Sequence, residues 1–65
     1  MKILFVSKSP KQTVITIQKA IDDYEVHLYN HYSGYTEMWT TAKDHEGATY
    51  FHKQLCMKCY IDTNM

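Results

Sequence analysis

The stretch YEVHLYNHYSGYTEMWTT, residues 24–41, constrains the fold most. Polar and apolar residues alternate through it, and tyrosine, valine, threonine and tryptophan suit a pleated strand. Ser33-Gly34 interrupts the pattern with a pair typical of a two-residue hairpin turn. Such a turn pairs Tyr32 with Tyr35, Leu28 with Trp39 and Val26 with Thr41. Alternation then sorts the side chains. Val26, Leu28, Asn30, Tyr32, Tyr35, Glu37, Trp39 and Thr41 share one face. His27, Tyr29, His31, Thr36, Met38 and Thr40 share the other. The first set holds the better core candidates, and the second is polar and aromatic.

The flanking segments complete a β-α-β-β-α order. Residues 2–7, KILFVS, read as a strand apolar on both faces. In SPKQTVITIQKAIDDY, Ser9, Pro10 and Gln12 form a capping box with proline at its first helical position. Val14, Ile17, Ile21 and Tyr24 follow at helical spacing, which predicts a helix over 10–23. The β-branched run Thr13 to Ile17 supports the alternative, a strand TVITI. At the other end, Ala48, Phe51, His52, Leu55 and Cys59 form a helical stripe behind Asp44, a good N-cap, predicting a helix over 45–59. Its rival is a strand, since Phe51, Leu55, Met57, Cys59 and Ile61 also fit period two. The expected fold is α+β: a single domain, 1–65, with two helices on one face of a three-stranded sheet. Its first strand lies at an edge, where a homodimer through that edge would cover it.

Residues 2–30, KILFVSKSPKQTVITIQKAIDDYEVHLYN, resemble the first βαβ unit of glutaredoxin-like proteins. The likeness lies in the strand, the Ser7-Lys8 turn, the helix and DYEV at 23–26. The family's CxxC falls near Lys11 and Val14, which cannot exchange thiols, and no TVP-like segment follows. The resemblance therefore implies a redox-dead scaffold.

Charge and motifs narrow the chemistry. Seven lysines balance seven acids, and arginine is absent. Nucleic-acid binding is disfavoured, because such surfaces are usually basic and rich in arginine. No run approaches the roughly 18 apolar residues of a membrane span. No signal peptide is visible, so a cytoplasmic location is expected, with Cys56 and Cys59 reduced. No glycine-rich phosphate loop or ordered catalytic set appears, and no enzymatic activity is expected. Cys56-Met57-Lys58-Cys59 with His52 is the one metal-like pattern. His52 and Cys59, about 10 Å apart along a helix, cannot close on one ion with Cys56. Zinc would need a further ligand from His27, His31 or His45. A zinc- or thiol-dependent module using His52, Cys56 and Cys59 is therefore the alternative, and no cofactor is the leading expectation.

The leading reading is a small non-enzymatic protein-binding module, an inhibitor or adaptor that occludes a partner protein. Its candidate binding residues are Tyr29, His31, Tyr32, Tyr35 and Met38, because tyrosine and methionine are enriched at interfaces. The arginine-free composition, rich in Lys, Tyr, Asn and Ile, is one that an AT-rich phage or mobile element would encode.

Overall fold

The computed structural model describes residues 1–62. Four strands precede one helix: β1 (Lys2–Lys8), β2 (Gln12–Ala20), β3 (Asp23–Asn30), β4 (Thr36–Ala42) and α1 (His45–Lys58). The strands form one antiparallel sheet in the order β1-β2-β3-β4, and α1 lies across β2, β3 and β4 on one face.

This corrects the expected β-α-β-β-α order. Among the described residues the sheet has four strands rather than three, there is one helix rather than two, and no crossover occurs. The segment expected as a helix over 10–23 is β2 and its flanking turns. Its β-branched run, Thr13 to Ile17, decides the matter, because alternation buries Val14 and Thr16 completely on the helix side. Ser9 and Pro10 do different work from a helix cap. The Ser9 N–H donates to the Gln12 carbonyl at 2.8 Å. The Ser9 hydroxyl accepts from the Lys11 and Gln12 amides. Pro10 thus sits second in a tight turn, where its fixed φ is equally at home. Ile21, expected on a helical face, is exposed in the β2–β3 turn. With β1, β2 and β3 running as a meander, residues 2–30 do not form the βαβ unit that the glutaredoxin resemblance implies.

The hairpin between β3 and β4 also differs from expectation. Asn30, not Tyr32, pairs with Tyr35: the Asn30 N–H donates to the Tyr35 carbonyl at 2.9 Å. The loop is therefore four residues, His31 to Gly34. Its organiser is the Asn30 side chain, whose Oδ1 accepts from the Tyr32 and Ser33 amides at 2.9 and 3.1 Å. Gly34 closes it at φ 77°, a region glycine enters without steric cost. Leu28 consequently faces Glu37 rather than Trp39.

The slip is partly undone by a bulge. Trp39 is an extra residue in β4, between Met38 opposite His27 and Thr40 opposite Val26. The bulge turns the indole toward the helix, edge-on to Phe51 at 6.3 Å between ring centroids. Trp39 thus leans on the helix but is not the core residue expected, since it stays 39% exposed. Thr40 and Thr41 exchange faces, since Thr40 now sits opposite Val26. The other edge strand, β1, has a similar extra residue at Leu4, which packs near Tyr24, Ala42 and Ala48.

The helix matches its sequence signals closely. The Asp44 carboxylate accepts from the Gly47 amide at 2.6 Å. A Cβ on Gly47 would come within 2.9 Å of that oxygen, so glycine leaves the cap room to close. At the far end, the Ile61 N–H donates to the Cys56 carbonyl and the Tyr60 N–H to the Met57 carbonyl. This is a Schellman ending with Tyr60, at φ 56°, where glycine is usual. Ile61 then tucks into the core beside Val14, Val26, Leu55 and Cys56.

Candidate functional site

Because α1 covers one face of the sheet, the other is open. Cross-strand pairing sets three rows of side chains across it. The central row is Val6, Ile15, His27 and Met38, one residue from each strand. On one side lie Ile3, Ile17, Glu25 and Thr41, and on the other Lys8, Thr13, Tyr29 and Thr36. Ile3, Val6 and Met38 are 61%, 48% and 54% exposed, while Ile15, Ile17, His27 and Tyr29 are partly buried by their neighbours. An aliphatic half over β1 and β2 thus adjoins a polar-aromatic half over β3.

Hydrogen bonds order the polar half. His31 Nδ1 lies 3.1 Å from the Pro10 carbonyl, which can only accept, so Nδ1 carries a proton. In the neutral ring, Nε2 then accepts from the Thr13 hydroxyl at 2.7 Å. The His31 backbone N–H also donates to the Lys11 carbonyl at 3.0 Å. The β3–β4 loop is thereby tied to the β1–β2 turn. Tyr29 stacks obliquely on His31, with centroids 5.4 Å apart. Farther along, Glu25 accepts from His27 at 3.0 Å and pairs with Lys19 at 3.4 Å. The hydrogen bond from His27 holds the Glu25 carboxyl below its ordinary range, with Lys19 assisting against partial desolvation.

The five residues expected to bind a partner separate. Tyr29, His31 and Met38 belong to the open face. Tyr32 projects from the loop tip. Tyr35 lies toward the helix side, lining a small cleft of about 170 Å³ with Leu28, Asn30, Ser33 and Glu37. The loop rearrangement around Asn30 separates these two from the rest. Ile3, Val6, Ile15 and Ile17 were missed. Their signal was the strand alternation of Thr13, Ile15 and Ile17, which a helical reading of residues 10–23 obscures.

A second constellation lies under the helix. His52 is fully buried, and both ring nitrogens are occupied. Nδ1 is 2.7 Å from the Thr16 hydroxyl and Nε2 is 2.9 Å from the Ser7 hydroxyl. Burial pushes the His52 imidazole below its ordinary value. Burial also raises the Cys56 thiol, with Ser7 partly offsetting it, and raises Cys59. A hydroxyl bonded to an imidazole that is oriented by a second hydroxyl has the outline of a nucleophile and base. The clefts beside Pro10 and Tyr60, beside Asn30 and Tyr35, and beside Asp44 and Tyr50 are not lined by Ser7 or His52. Nor does the alternative metal set assemble. Zinc at His52 would have to displace Ser7 or Thr16, and no group of three or more His, Cys, Asp or Glu residues suited to a metal occurs among the described residues.

No family model, curated protein or solved structure significantly matches the chain.

Proposed function

We propose that this domain acts by binding another protein through the open face of its sheet. The row Val6–Ile15–His27–Met38, left uncovered by the helix, carries this reading. The aliphatic half offers desolvation, Tyr29 and His27 offer directional contacts, and His31, with both ring nitrogens already bonded, braces Tyr29. The bulges at Leu4 and Trp39 make the face a better docking surface than either sheet edge, where extra residues disrupt the regular ladder. Occlusion of a partner surface by an inhibitor or adaptor is the mechanism that fits a domain of this size. Two free thiols suit a reducing, cytoplasmic setting. Among the described residues, no helix is long and apolar enough to cross a membrane.

Affinity capture from a host lysate tests the proposal with three variants. Ile15→Lys/Met38→Lys charges the face and abolishes capture of a specific partner. Met57→Lys, on the exposed back of α1, retains it. Tyr32→Ala/Tyr35→Ala reports on the loop tip alone. Capture that survives the face variant but fails with the tip variant would sink the open-face reading. Size measurement of the purified chain identifies a second copy as the occupant if the wild type is dimeric and the face variant monomeric.

A further inference from the structure

Among the described residues the largest fully buried side chain is a histidine, His52, in the helix. His52 reaches β1 through Ser7 and β2 through Thr16, and Phe5 of β1 stands edge-on to its ring at 5.5 Å. The two strands differ in what else holds them. β2 pairs with strands on both sides, whereas β1 pairs with β2 alone and is interrupted at Leu4. The main body of α1 rests on β2, β3 and β4, and its contacts to β1 run through Leu4 near Ala48, Phe5 against His45 and His52, and Ser7 bonded to His52. Ser7 and Phe5 make the contacts to His52.

We infer that His52 is an acid-sensitive latch: neutral, it fastens edge strand β1 to the domain, and protonated, it lets β1 go. The neutral imidazole has one donor and one acceptor, and either hydroxyl can complement either nitrogen. A second proton would not by itself break the hydrogen bonds, since both hydroxyls can accept. It would place a positive charge in a dry seam. Nothing there balances it. From α1 the ring's titratable neighbours are Cys56, a thiol whose neutral form burial favours, and His45, which also meets Phe5 edge-on at 5.5 Å between centroids. Glu46, Lys53 and Lys58 of that helix are exposed. The charged residues of β1 and β2 are Lys2, Lys8 and Lys19, all cationic. β3 approaches through Val26, opposite Thr16, while its Glu25 is engaged by His27 and Lys19 on the other face. No carboxylate hydrogen-bonds to His52 among the described residues.

The direction of the pH effect follows. Burial lowers the proton affinity of the folded ring, so the opened state binds more protons. The latch holds fully above the ordinary histidine range and weakens as pH falls through about 6.5. Between pH 7.5 and 5.5 the opening constant of β1 rises by up to about tenfold.

Amide hydrogen exchange read by NMR at those two pH values, corrected for intrinsic rates, tests this. The amides of β1 lose protection toward tenfold, while the central amides of β3 lose much less. In His52→Gln, whose amide offers a donor and an acceptor but does not titrate, the difference disappears. His27→Gln retains it. Parallel losses in β1 and β3, no loss in β1, or a persistent pH effect in His52→Gln would each overturn the latch. If His52→Gln does not fold, the wild-type ring decides: its titration must share a midpoint with β1 exchange, and titration without β1 opening rejects the inference.

Discussion

The two faces of this sheet use alternate residues of the same strands for opposite ends. On the covered face, Val14, Thr16 and Val26 are inaccessible, and even the polar atoms of Thr16 and His52 find partners within the protein. On the open face, Ile15, His27 and Met38 lie side by side in partial contact with solvent. One face excludes water at its centre, around Val14, Thr16 and Val26, and the other remains available. A one-residue step along β2 moves from one regime to the other, so stability and binding can be altered separately.

Substitutions test that separation, beginning with the largest effect. Leu55→Ala, at the centre of the covered face, removes about 3 kcal/mol by loss of transfer energy and creation of a cavity. In a domain this small, that loss leaves much of the chain unfolded at 37 °C, as circular dichroism would report. Thr16→Val keeps the shape but orphans His52 Nδ1, and costs about 2 kcal/mol in urea unfolding. A negligible change would mean the polar seam is wetter than its geometry implies. Tyr60→Gly acts in the opposite sense. The tyrosine is 95% exposed and holds a left-handed conformation, so glycine there stabilises by about 1 kcal/mol, visible as a higher Tm. Val6→Thr, on the open face, changes stability by no more than about 0.5 kcal/mol. A large loss from Val6→Thr would break the comparison, because it would show that the open face also holds the fold together.

The parts of this architecture that were legible in sequence are those specified locally. The α1 helix shows its cap at Asp44, its stripe and its approximate end within one segment. The inward and outward residues of β3, and of the start of β4, follow from alternation, which is why Tyr29 and Met38 were recognisable as outward, while His31 lies in the loop and reaches the open face through Thr13. Residues 9–24 were ambiguous for a physical reason. Ser9-Pro10 serves a helix start and a tight turn equally well, and the spacing of Val14, Ile17, Ile21 and Tyr24 imitates a helical face. Tertiary burial of Val14 and Thr16 chose the strand. In the β3–β4 loop, the familiar turn pair Ser33-Gly34 gave way to Asn30, whose side chain satisfies two amides at once. The seam around His52 was illegible because its partners, Ser7 and Thr16, are 45 and 36 residues distant. Those long-range pairings depend on a strand that local spacing disguises.

The strand order, identical in space and in sequence, has a kinetic consequence. Each pairing closes only a short loop, so β1, β2, β3 and β4 can zip together in turn without waiting for a distant segment. α1 follows the whole sheet in the chain, and none of the strand pairings runs through it. The face the helix covers is the one that carries the hydroxyls of Ser7 and Thr16, so docking there leaves neither His52 nitrogen without a partner.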